Sequence, residues 1–199
     1  AGVTDHIFRR YVRRWAPNSL LFTEMVNASS LNLGYGLQKV NQLKNEDGPV
    51  GIQLFDNNLF SIREAALESE DCGAYIIDIN MGCPVKKIAK KGGGSALINN
   101  PKLAVNIVKI VSSAVRVPVS VKTRIGWSKD DKNIEDFLLR LQDAGANMIT
   151  IHGRSREQGF MGSANWEIIG ELKEKLDIPI IANGDICNGR DAIECLKVT

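Results

Sequence analysis

The residues able to do chemistry in this sequence gather at the ends of short apolar runs. Gln53 closes one run. Asp78 and Asn80 close the next and are followed at once by Gly82-Cys83-Pro84. Lys122 and Arg124 end a third run, His152 and Arg154 a fourth, and Asn183-Gly184-Asp185 a fifth. A thiol can donate a proton, and a lysine can fix positive charge beside a developing anion. Amides, imidazole and guanidinium groups can read the polar edge of a planar ring. Lys and Arg are rarely buried unless paired, so their recurrence at these positions points to a polar site. Alternate strand residues share a direction, which groups Asp78 with Asn80, Lys122 with Arg124, and His152 with Arg154. Blander readings exist for each: an ion pair of Lys122 with Asp78 or Asp185, a satisfied core position for His152, an inert buried thiol for Cys83.

The runs themselves are Leu20–Val26, Val50–Phe55, Tyr75–Asn80, Val117–Arg124, Met148–His152 and Ile178–Ala182. They are short and apolar on both sides, as parallel strands buried on both faces should be. Each precedes a turn signal and a helical pattern. Asp56-Asn57-Asn58 caps a helix through Glu70. Asn99-Asn100-Pro101 opens one through Val115, Lys132-Asn133 one through Ala144, and Asn188 the last. Gly73 and Gly145 are placed to end helices. A period of about 30 residues is that of a β–α unit. Six such units without a Gly-rich fingerprint after the first strand favour a TIM (β/α)8 barrel over a doubly wound sheet. A full barrel takes roughly 250 residues, so this one is expected to be incomplete, with its first strand ending before Ala1 and its eighth lying beyond Thr199. Active sites of such barrels lie at the C-terminal ends of the strands, where the polar residues above converge.

The longest interval between runs holds Cys83 and then Lys86, Lys87, Lys90, Lys91 and Gly92-Gly93-Gly94. It reads as a functional loop, with the glycines permitting movement and the lysines able to meet an anionic partner. Arg9-Arg10 and Arg13-Arg14, at i, i+4 spacing on a first helix over residues 4–15, read as a solvated face. Trp15, Trp127 and Trp166 read as packing residues, and Glu24 has no evident partner.

Composition narrows the class. The chain has 199 residues, 44% hydrophobic and 24% charged, with net charge +2, so any nucleic-acid contact must rest on a local basic surface. Its four cysteines form no C-x-x-C pair, which argues against a metal site and a disulfide framework and fits a reducing cytoplasm. No apolar run is long enough to span a membrane, and no signal peptide is visible.

Several of these motifs together are similar to one family. Asn80-Met81-Gly82-Cys83-Pro84 resembles the N-x-G-C-P signature of tRNA-dihydrouridine synthases, and Ala1-Gly2-Val3-Thr4-Asp5 resembles the tail of their opening P-M-A-G-x-T-D motif. Gly51-Ile52-Gln53-Leu54, Val121-Lys122-Thr123-Arg124, Ile151-His152-Gly153-Arg154 and Ile181-Ala182-Asn183-Gly184-Asp185 match later family motifs in order. The similarity covers the whole chain and is nearest the bacterial type B branch. It implies that residues 1–199 are most of an FMN-binding catalytic barrel. A Gly-Arg phosphate motif and a helical tRNA-binding domain would then lie beyond Thr199.

The resemblance also implies roles. Ala1, Gln53, Lys122, His152, Asn183, Gly184 and Asp185 would hold FMN. Asn80, Arg124 and Arg154 would meet the substrate, and Cys83 would protonate it. NADPH would be the reductant and tRNA the partner of a monomer. Two rivals share some of these features: an FMN barrel acting on a free pyrimidine, like dihydroorotate dehydrogenase, and a non-catalytic RNA-binding fragment.

Overall fold

The computed structural model describes residues 2–131 and 133–199. Lys132 and Ala1, the latter expected to back the flavin, lie outside them. Strands β1 (Leu21–Phe22), β2 (Val26–Asn27), β3 (Val50–Phe55), β4 (Ile76–Asn80), β5 (Val119–Arg124), β6 (Met148–His152) and β7 (Ile180–Asn183) form one parallel sheet. Its order is β1-β3-β4-β5-β6-β7, with β2 also on β3. The architecture is a partial TIM barrel, with each strand from β2 to β7 followed by helix. The path ends at β1 on one side and β7 on the other.

Strand pairs in register share a face, and the pairings sort the residues cleanly. Gln53 lies beside Asp78, Asp78 beside Ser120, Asn80 beside Lys122, Arg124 beside His152 and His152 beside Asn183. The opposite face carries Ile52, Leu54, Ile77, Ile79, Val121, Ile149 and Ile151, all fully buried. Helices cover this apolar face: α4 (Leu59–Asp71) with Ile62 and Ala65, α6 (Pro101–Ala114) with Ile107 and Val108, α7 (Ile134–Asp143) with Leu138 and Leu141, and α8 (Trp166–Lys173) with Ile169. Full burial of one such aliphatic side chain contributes about 1.5–3 kcal/mol. The polar face is therefore the concave one, and the chemistry-bearing residues share it.

Helix starts follow the sequence. Asn58, Asn100 and Asn165 each accept from the backbone N–H three residues on, and Asn188 forms a full capping box with Asp191 ahead of α9 (Gly189–Val198). Gly73 and Gly145 adopt φ of 94° and 107°, the left-handed geometry of a helix end.

Three expectations change. The run Leu20–Val26 is two short strands, because Thr23-Glu24-Met25 stand opposite only Ile52-Gln53, a bulge of one residue. The first helix is α1 (His6–Arg13), and its arginines are a solvated face only in part: Arg10 and the following Arg14 are exposed, Arg9 and Arg13 are not. Arg9 and Arg13 are buried while Ile7, Tyr11 and the following Trp15 are exposed. Arg9 pairs with buried Glu46, and Arg13 donates to the carbonyls of Pro17, Ser19 and Pro49. Carbonyls left by an irregular chain path need donors, and the guanidinium groups supply them. Finally, the stretch after Cys83 is ordered into α5 (Lys86–Ala89) and a 3-10 turn over Gly94–Asn99, with Gly94, Ser95, Leu97 and Ile98 buried.

Candidate active site

The β4 end builds outward from one buried carboxylate. Asp78 accepts from Ser120 Oγ at 2.7 Å and from Gln53 Nε2 at 2.6 Å. A carboxylate only accepts, so Gln53 must present its Nε2 to Asp78, leaving its Oε1 to accept from Asn80 Nδ2 at 2.8 Å. Asn80 Oδ1 then faces the chain end and accepts from Cys83 N at 2.9 Å and Gly82 N at 3.3 Å. Four side chains thus set the turn that carries Cys83. Its other side is closed by backbone: Ser95 N donates to Cys83 O at 3.1 Å. Gly94 has φ 58°, and a Cβ there would lie 2.9 Å from Cys83 O and 3.1 Å from Cys83 Cβ. The glycine expected to permit movement instead permits close approach. Cys83 itself is half-buried and free.

The β5–β7 side is cationic. Lys122 Nζ donates to Asn183 Oδ1 at 2.9 Å. Burial pushes the Lys122 ammonium down and the Asp78 carboxyl up, and the attraction between the two pulls each back. His152 Nδ1 accepts from Arg154 N at 3.2 Å, which puts the ring proton on Nε2. Burial, with Arg124, Lys122 and Arg154 nearby, lowers its pKa to about 4, so the imidazole is neutral at pH 7.

Both arginines are largely committed to protein. Arg124 Nε donates to Gly82 O at 2.8 Å, and its Nη1 to Ser155 O at 3.1 Å and Gly159 O at 2.9 Å. Arg154 makes a two-pronged pair with Asp185 at 2.8 Å on each arm, and also donates to the carbonyls of Met161 and Gly162. Asp185, the one non-glycine residue with positive φ (58°) among the described residues, accepts in addition from Ala164 N. The Arg154 hydrogen bonds hold its carboxyl below the usual range. Gly184 fits closely between Ala164 and the His152 ring, where a Cβ would sit 2.9 and 3.2 Å away.

All of the sequence-derived site residues within the described chain therefore lie on one rim, linked by hydrogen bonds or strand register. Three contributors escaped the sequence reading. Ser120 was signalled by its spacing of two from Lys122. Glu24 sits in the bulge and its Oε1 accepts from Val3 N and Thr4 N at 2.7 Å and from Thr4 Oγ1 at 3.0 Å, tying the Gly2–Thr4 segment to the rim. Phe160 carried no periodic signal, being on an irregular loop. Lys87 of α5 and Lys91 just beyond it border a cleft of about 510 Å³ with Ser29, Asp56 and Asn57. Among the described residues no helix is long and apolar enough to cross a membrane.

The chain is similar to several known proteins. The family model described as dihydrouridine synthase matches residues 1–199. A probable tRNA-dihydrouridine synthase 1 of Synechocystis sp. is 51% identical over 199 residues, covering 100% of this chain and 56% of that protein. A probable tRNA-dihydrouridine synthase of Rickettsia bellii is 40% identical, covering 99% and 61%. tRNA-dihydrouridine synthase B of Pseudomonas aeruginosa is 36% identical, covering 100% and 60%. The chain thus spans about three-fifths of the length of the curated relatives it matches. Among solved structures, histamine dehydrogenase from Rhizobium sp. 4-9 superposes with a TM-score of 0.70 over 96% of this chain and 39% of that one, at 10% identity. That likeness supports the fold alone.

Proposed function

The chain belongs to the dihydrouridine synthase family, and on that premise we propose that its protein reduces uridines of tRNA to 5,6-dihydrouridine, with FMN as hydride carrier and NADPH as reductant. The observation that carries this reading is the hydrogen-bonded path Asp78–Gln53–Asn80–Cys83, which fixes the backbone turn carrying Cys83 at the end of β4, beside the β5 and β6 ends that carry Lys122 and His152.

The donor set suits a flavin. The pyrimidine edge of an isoalloxazine ring carries acceptors, and Lys122, His152 Nε2–H and the Gln53 amide offer donors on one face. Asn183 orients Lys122, and Gly184 and Asp185, which follow it on the same rim, would hold the ring or its side chain. When bound, the reduced flavin supplies a hydride to C6 of the uracil. Lys122 would stabilise negative charge on the bound cofactor. Neutral His152 donates without adding charge.

The target uridine must leave its stack to reach such a site. Asn80 and the free Nη2 of Arg124 meet its polar edge, and Arg154 serves by holding the loop that closes around it. Cys83 gives its proton to C5 from the face opposite the hydride and regains one from solvent. The sum is uridine, NADPH and a proton going to dihydrouridine and NADP+. The thiol must therefore keep its proton until the hydride arrives.

The test is Cys83→Ala. The variant should retain flavin absorbance and flavin reduction by NADPH, yet form dihydrouridine on tRNA at least 10²-fold more slowly. Dihydrouridine formed at the wild-type rate would remove Cys83 from the mechanism. Activity on free uracil or dihydroorotate, and none on tRNA, would favour the free-pyrimidine reading instead.

A further inference from the structure

The loop between β6 and α8 raises a question that the proposed chemistry does not answer. Its tip exposes two apolar side chains side by side, Phe160 at 78% and Met161 at 72%. Exposed apolar residues on a loose loop are ordinary, but this loop is not loose. The carbonyl before Phe160, Gly159 O, accepts from Arg124 at 2.9 Å. The carbonyl after it, Met161 O, accepts from Arg154 at 3.2 Å, and Gly162 O accepts from the same guanidinium.

Both arginines are almost fully buried, one at the end of β5 and the other just past β6. At the loop's start Arg156 N donates to Gly126 O, and its guanidinium lies 4.5 Å from the Trp127 ring centroid. At its far end Ala164 N donates to Asp185. The Phe160 ring stands edge-on to His152, with centroids 6.4 Å apart at 79°, and the Arg124 guanidinium carbon is 5.7 Å from its centroid. The backbone on both sides of a solvent-facing aromatic ring is thus pinned at the lip of the site by two buried guanidinium groups, and the ring itself packs edge-on to His152.

We propose that Phe160 is a fixed stacking platform for a base of the RNA strand flanking the reduced uridine. This rests on the reading that tRNA is the substrate. Three features favour a base as occupant. A ring fixed in advance loses little entropy on stacking. Every base offers a flat face to an aromatic side chain. The Arg124 guanidinium, 5.7 Å from the ring centroid and bonded to carbonyls with no carboxylate among its partners, makes the surroundings attractive to a phosphate backbone. Met161 extends the same surface along the strand.

The experiment uses the FMN-loaded protein and measures Kd for unmodified tRNA by fluorescence anisotropy at fixed salt, alongside dihydrouridine formation. Phe160→Ala should raise Kd about tenfold, the loss expected of one base–aromatic stack. Phe160→Leu, apolar but not flat, should behave like Ala, while Phe160→Tyr should stay within about twofold of wild type. In Phe160→Trp, tRNA should quench the new indole emission. Flavin absorbance checks that each variant folds and loads. Wild-type affinity in Phe160→Ala or Phe160→Leu, with the parent enzyme reducing tRNA, would overturn the stacking role alone. A parent enzyme that neither binds nor reduces tRNA would overturn the substrate reading and this proposal with it.

Discussion

The two halves of the rim solve the same problem, holding polar groups at the edge of an apolar sheet, by different means. On the β3–β4 side neutral amides settle one another. Asp78 dictates which way Gln53 points, Gln53 dictates Asn80, and Asn80 fixes the Cys83 turn. On the β5–β7 side cations do the holding, and most of their hydrogen bonds go to loop carbonyls and to Asp185. The first arrangement conveys direction, because each amide has one orientation that satisfies both neighbours. The second conveys charge and loop position. Damage on the amide side should therefore appear as disorder of the thiol turn, and damage on the cationic side as altered response to negative charge.

The largest contrast should come from Lys122, which among the cations keeps the fewest protein partners. Lys122→Met should slow NADPH-driven flavin reduction by about 10²-fold, the typical cost of removing one fixed stabilising group, with FMN still bound. Stopped-flow absorbance measures it. Reduction at the wild-type rate would mean that charge on this side serves the fold and not the cofactor. On the amide side, Asn80→Leu strands the N–H groups of Gly82 and Cys83 together with Gln53 Oε1. A stability loss of about 2 kcal/mol is expected from these buried unpaired groups, read as a lower urea midpoint at unchanged m-value. No loss would show that the amide path is dispensable to the turn.

How much of this was legible beforehand follows the same division. Strand and helix order was readable because buried parallel strands write apolar runs and asparagine caps write helix starts. The rim residues were readable because β periodicity puts them on one face. Partnership was not readable. Arg124 and Arg154 carry the same signal as a ligand-binding guanidinium, and only the path of residues 155–162 shows which carbonyls they serve. Arg9 and Arg13 misled for the same reason, since i, i+4 spacing says which residues share a helix face but not whether irregular chain covers that face. Gly94 was noticed for its lack of a side chain, yet its purpose lies in the nearness of Cys83 across the fold.

A pH titration sharpens the cationic side. Folded His152 resists protonation down to about 4, whereas in the unfolded chain it protonates near 6.5. Its folded pKa is depressed, so its contribution is complete above pH 6.5 and is lost as pH falls from 6.5 towards 4, with a slope of up to about 1.4 kcal/mol per pH unit. Urea midpoints at pH 7, 6 and 5 should fall in the wild type and fall less in His152→Gln. Parallel lines would place the proton elsewhere.

Glu24 offers the smallest effect and tests whether the amide side extends to the chain's opening segment. Burial works against its charge, but N–H groups of Gly2, Thr4 and Val3 and the Thr4 hydroxyl outweigh that, bringing its pKa to about 2. Being lowered, it stabilises the fold above about pH 4.5 and ceases to do so as pH falls towards 2. The full shift would correspond to about 3 kcal/mol at 1.36 kcal/mol per unit, and partial exposure screens this to about 1 kcal/mol. Glu24→Gln keeps an acceptor oxygen and removes the charge. It should cost about 1 kcal/mol at pH 7 and nothing near pH 2, and hydrogen exchange at Val3 and Thr4 should quicken, since their N–H groups bond this oxygen. Unchanged exchange at those two amides would show that the bulge, and not the carboxylate, holds the segment against the rim.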